Sequence, residues 1–191
     1  MKKDQSEMSS EELWHLYPII LSEHKDCWKD WYLEEKDTLK KILKLDNMIL
    51  SHIGSTSVDT IWAKPTVDIL VEADGGDFSA VFETLAKHGY IHMYRTKTRM
   101  SFVKGYLPEG FAEKVYHIHV RLFGDNDELY FRDYLIEHPE TAKEYETLKL
   151  GLWKSFEFDR DGYTNAKGEF VKAVTETAKR LYHGRYIRSE I

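Results

Sequence analysis

The apolar residues of this chain change their period twice, and that constrains its fold more than any other feature. From His24 to Leu45, Trp28, Trp31, Tyr32, Leu39, Ile42 and Leu43 recur at steps of three and four, with Glu35 set among them. That spacing belongs to one face of a helix. From Met48 to Phe123 the pattern becomes short β-branched and aromatic runs between turn residues, and beyond Asp127 it is helical again. A helix, a sheet-forming middle and a helical C-terminal part predict an α+β domain, a mixed sheet of about five strands flanked by helices. A length of 191 residues suits one such core and not two.

Strands are expected at Met48–Ile53, Thr66–Val71, Tyr90–Arg95, Met100–Lys104 and Val115–Phe123. A helix from Phe78 to Gly89 follows the Asp74-Gly75-Gly76-Asp77 turn, and Gly105 to Gly110, with Pro108, reads as a loop. Ser9 and Glu12 have the spacing of a capping box, opening a short helix that Pro18 stops. After Asp127 three helices are expected, with breaks at His138-Pro139 and at Phe158–Gly162, the last helix running from Asn165 to Tyr182. The division is a polar lead-in with a short helix over 1–16, a single domain over 17–183 and a C-terminal tail over 184–191.

Composition removes several function classes. No apolar run approaches the roughly 20 residues of a membrane span, and the first twelve residues have no apolar stretch suited to a secretory leader. A net charge of −6 gives no broad field for nucleic acid. The single cysteine, Cys27, lies on the apolar side of its helix and reads as packing. A cytoplasmic protein with no membrane partner is expected; oligomeric state is not legible.

Three features carry chemistry. His52-Ile53-Gly54-Ser55-Thr56-Ser57 ends a strand in a turn whose amides and hydroxyls could cradle phosphate oxygens, or could simply cap the next segment. Asp68 sits inside an apolar strand, where a carboxylate needs a metal ion, a basic side chain or backbone amides as partner. Lys64, four residues earlier, could be that partner in a structural ion pair. His117 and His119 share a strand face roughly 6.5–7 Å apart and could converge on a cation with a carboxylate. Arg99 and Lys104, on a neighbouring strand, could reach an anion or merely protect a sheet edge.

Taken together, HIGSTSV (52–58), AKPTVDILV (63–71), HGY (88–90), RMSFVKG (99–105), YHIHV (116–120) and FRDYLIEHPETAKEYETLK (131–149) resemble the GrpB family of small bacterial proteins from about Tyr17 to Leu181. The resemblance implies a nucleotidyltransferase-like fold, in which Gly54 and Ser55 correspond to a phosphate-holding turn and Asp68 to the first metal-binding acid. His119, with His117, falls where a third acid is expected. The chain departs from that superfamily's pattern at Leu70, where a second acid would stand. Glu72 lies about 13 Å along the strand from Asp68, too far to share an ion. Asp59-Thr60 stands where family members commonly carry Pro-Gly, so the loop there should differ in shape.

The resemblance implies transfer of a nucleotidyl group from a nucleoside triphosphate to a small acceptor. Gly54, Ser55, Thr56, Ser57, Arg99 and Lys104 would bind the substrate. Asp68 and Lys64 would act in catalysis, and Asp68, His117 and His119 would hold a divalent metal, magnesium or manganese ahead of zinc. The alternative is a catalytically inactive module on the same fold that binds a phosphorylated small molecule.

Overall fold

Along the segment 67–72, Val67, Ile69 and Val71 alternate with Asp68, Leu70 and Glu72, so one strand has an apolar face and a face carrying two carboxylates. The computed structural model describes residues 8–186. Its helices are α1 (Ser10–Leu16), α2 (Cys27–Leu43), α3 (Phe78–Lys87), α4 (Asp127–Glu137), α5 (Pro139–Trp153), α6 (Arg160–Ala166) and α7 (Gly168–Leu181). Its strands are β1 (Ile49–Ile53), β2 (Val67–Ala73), β3 (Ile91–Arg95), β4 (Arg99–Leu107) and β5 (Gly110–Leu122). The first seven residues of the expected lead-in and the last five of the tail lie outside the described residues. None of the described helices is long and apolar enough to cross a membrane.

The strands form one mixed sheet in the order β1-β2-β5-β4-β3, with β2 parallel to β5 and the other neighbours antiparallel. The α+β architecture expected from the period changes is the one observed. Val67, Ile69 and Val71 join Phe102, Ile118 and Val120 in the main core, against Trp28, Leu39 and Leu43 of α2 and Phe78, Val81 and Leu85 of α3. Cys27 packs at its margin. The opposite sheet face is covered only in part: Leu129 of α4 packs on Ile53 and Leu70, while α5 and α7 pack with α4 and the segment around Val58 and Ile61.

Two segments differ from the sequence reading. The expected loop at Gly105–Gly110 is mostly strand, because β4 and β5 keep pairing through Tyr106↔Phe111 and Leu107↔Gly110. Gly105 marks a register break, not a turn: its φ is +89°, and a Cβ there would strike the Lys114 carbonyl. Among the described residues four helices, not three, lie from Asp127 onward, since the expected 158–162 loop gives way at Arg160 to the short helix α6. The Asp159 side chain caps α6 by accepting from the Gly162 N–H at 2.8 Å.

Candidate metal and anion site

The site lies on the sheet face that α2 and α3 leave free. In the parallel β2–β5 ladder Asp68 stands beside His117 and Leu70 beside His119, so alternation aims Asp68 and both imidazoles to the same side. The Asp68 carboxylate accepts from His119 Nε2 at 2.9 Å, and His117 Nδ1 lies 3.4 Å from the same oxygen. The other ring nitrogen of His117 is 2.9 Å from the Tyr106 hydroxyl.

Tyr106 reaches this face because of the break at Gly105. Lys104 and Tyr106 are two residues apart, yet Lys104 bonds Glu35 on the α2 side while Tyr106 bonds His117 on the other. A bulge of this kind re-aims a side chain.

Gly54 brings the turn against the carboxylate. Its φ is +71°, and a Cβ on it would collide with the Asp68 side chain. Ser55–Ser57 then form a single 3-10 turn. The four residues read as a phosphate cradle divide here. Thr56 is buried, its hydroxyl held between His52 Nε2 at 3.0 Å and the Thr66 carbonyl at 3.2 Å. Ser57 donates to the Gly54 carbonyl at 2.6 Å. Both hydroxyls therefore fasten the turn. Gly54 and Ser55 remain at the site, with Ser55 near the phenol of Tyr145, whose pKa burial pushes up to about 12 against an opposing pull from Ser55.

Burial alone would raise the Asp68 pKa, but the bonds from His117 and His119 outweigh it and hold the carboxyl ionised well below its usual range. Burial pushes His117 down to about 4, partly opposed by Asp68, so its imidazole is neutral near pH 7. Lys64 makes no ion pair with Asp68; it acts on it through charge alone. Its amine is pushed down to about 7 by burial and by the Arg160 charge. Burial likewise lowers Lys167 to about 8, with Asp68 pulling the other way. Arg160 lies over the Tyr106 ring, 5.2 Å from its centre. Arg160 and Lys167, 92 and 99 residues from Asp68, carry no local sequence pattern that distinguishes them.

The two expected anion ligands on β4 are engaged elsewhere. Lys104 shares the face of Met100 and Phe102, and its amine donates to both oxygens of the buried Glu35 at 2.9 Å. The Tyr90 hydroxyl completes that cluster. Arg99 lies on the site face but opposite Arg121, about 13 Å along the strand from His117. It makes a two-pronged bond to Asp125 at 2.7 and 2.5 Å. A sequence signal existed for Lys104: it and Glu35 are charges of opposite sign, each set on an otherwise apolar face.

A cleft of about 960 Å³ opens over the site, with Gly54, Asp68 and His119 on one wall and Phe131 of α4, Lys167 between α6 and α7, and Val171 of α7 on the other. That is ample for a ligand the size of a nucleotide. The donor atoms of Asp68, His117 and His119 all lie within 4.8 Å of one another. An ion bound at about 2.0–2.2 Å from each donor requires donors roughly 3–3.6 Å apart. The two Asp68 contacts already have that spacing, so these residues fit a single divalent cation.

Comparison with known proteins places the chain. The family described as GrpB protein matches residues 18–177. The glutamate-rich protein GrpB of Alkalihalophilus pseudofirmus is 34% identical over 163 residues, 82% of this chain and 93% of that protein. UPF0157 protein YqkA of Bacillus subtilis is 34% identical over 184 residues, 91% of this chain but 52% of YqkA, so the chain spans about half of that relative's length. The crystal structure of conserved protein GrpB from Enterococcus faecalis aligns with a TM-score of 0.74 at 32% identity, covering 85% of this chain and 99% of that one. With the family match running from the start of the apolar segment before α2 almost to the end of α7, the chain belongs to the GrpB protein family.

Proposed function

We propose that this protein binds one divalent cation at Asp68, His117 and His119 and holds the phosphates of a nucleoside triphosphate beside it, passing the nucleotidyl group to a small acceptor. The observation that carries this reading is the convergence of a carboxylate and two imidazoles against a glycine turn, at the wall of a nucleotide-sized cleft. In the reaction an acceptor heteroatom bonds to the α-phosphorus and pyrophosphate leaves. A cation, when bound, supplies Lewis-acid polarisation of a phosphate oxygen. Gly54 and Ser55 face the phosphates, while Lys64, Arg160 and Lys167 neutralise charge gathering on the leaving oxygens. In this reading Lys64 keeps a part in catalysis, and Lys167 and Arg160 stand in for Arg99 and Lys104 as anion ligands.

One observation favours a second reading, a module that binds a phosphorylated small molecule without turnover. Position 70 is Leu70, fully buried against Ile53 and Leu129, so a second acid there would be a carboxylate desolvated in an apolar contact. Calorimetry with each nucleoside triphosphate, with and without divalent metal, tests the shared pocket. Metal-dependent binding abolished by Asp68→Ala supports it, and binding indifferent to that change sinks it. Release of pyrophosphate on adding candidate acceptors then separates transfer from binding alone.

A further inference from the structure

The donor set of this site is rich in nitrogen and short of oxygen. Asp68 supplies its one carboxylate, and the neighbouring acids of β2 and of α4 are committed elsewhere. Glu72 is buried, accepting from the Gly124 N–H and the Asn126 side chain at 3.0 Å each. Glu128 faces Arg121 at 3.5 Å, and Asp127 pairs with Lys179 at 2.6 Å. Leu70, beside His119 in the ladder, is packed against Ile53 and Leu129.

Magnesium takes oxygen donors and gives up its water reluctantly, whereas imidazoles suit zinc and the neighbouring transition metals. The surroundings of His117 match the second requirement of such ions, a fixed partner for the ring nitrogen that does not bind metal. Tyr106 stands 2.9 Å from that nitrogen, and its hydroxyl can donate to the free ring or accept the ring proton once Nδ1 takes an ion. Asp68 and His119 both line the cleft, so an ion bound there faces open space on the ligand side.

We propose that Asp68, His117 and His119 select a nitrogen-accepting ion of the zinc class, zinc or ferrous iron, over magnesium, and leave a coordination position open to the cleft. The inference rests on the reading that this triad holds a cation, and it reverses the order in which magnesium or manganese stood ahead of zinc on sequence grounds.

The test uses the metal-free full chain titrated with Zn²⁺ and, separately, Mg²⁺ by calorimetry, with Co²⁺ as a spectroscopic probe. One equivalent of Zn²⁺ should bind at least about 100-fold more tightly than Mg²⁺, and Co²⁺ should develop visible bands of a low-coordinate site. His119→Asn should remove those bands and weaken Zn²⁺ by about tenfold or more, tying the ion to this site and not to another of the nine histidines. His119→Asp, which exchanges a nitrogen donor for oxygen, should narrow the Zn²⁺ to Mg²⁺ ratio. Mg²⁺ affinity within tenfold of Zn²⁺ in the unaltered chain overturns the selectivity and leaves the cation reading standing. Failure of either ion to bind, or binding that both natively folded variants leave unchanged, overturns the cation reading and the selectivity with it.

Discussion

At the scale of single residues, Gly54 decides whether the turn and the carboxylate can coexist. Its φ of +71° with ψ of −177° is a conformation essentially confined to glycine, costing alanine about 1–3 kcal/mol, and the added Cβ would also press on Asp68. Gly54→Ala should lower the melting temperature by about 2–12 °C in a chain of this size and weaken metal binding; a melt that superimposes on the parent's would show that Asp68 does not need that space. Tyr106→Phe should cost about 1 kcal/mol, since the hydrogen bond to His117 is lost while the ring keeps its contacts with Tyr17 and Phe111. It should still weaken divalent-metal affinity by about tenfold, read by the same titration. The need of Asp68 for a partner was legible in its apolar strand, and so was the shared face of His117 and His119. What the sequence left open was the choice between Lys64 and the imidazoles. That choice depends on β2 lying parallel to β5 in a register pairing residues some fifty apart.

At the scale of elements, α5 fixes the segment that delivers Lys64 and Asp68. Glu146 accepts from the Trp62 N–H at 3.0 Å, and Lys149 donates to the Trp62 carbonyl, both side chains being buried. Burial has pushed the Lys149 pKa down to about 7. Glu146→Ala would strand the Trp62 N–H and leave Lys149 without its counter-charge, a loss of about 3 kcal/mol. Glu146→Gln keeps an acceptor and should cost less, an order that urea denaturation of the two variants would check. The clamp is invisible in sequence because its partners are 84 and 87 residues apart. The strands themselves were readable from their β-branched runs. Their one misreading, the Gly105–Gly110 loop, came from taking Gly105 as punctuation where it serves as a break in register.

At the scale of the whole molecule, the sheet supplies the triad, and Lys64, Arg160 and Lys167 gather around it from the segment before β2 and from α6–α7. Lys64 and Lys167 lose their charge near pH 7 and 8 in the free protein. A bound phosphate favours the charged amines and raises both values. Triphosphate affinity should therefore be flat below about pH 7 and fall above it, by up to about tenfold per pH unit for each lysine. Calorimetry between pH 6 and 9 would check this, and Lys167→Ala should flatten the profile. The helix–sheet–helix order was legible from end to end, whereas the cleft was not, because its two walls come from segments about a hundred residues apart. Leu70 links the cleft to what the fold can be changed into. It is fully buried beneath α4, packed on Leu129, so putting a carboxylate there requires the helix to be rebuilt as well. A second charged ligand beside Asp68 is therefore not one substitution away: the change that adds the charge also strips out packing, and only a matching change in α4 restores it.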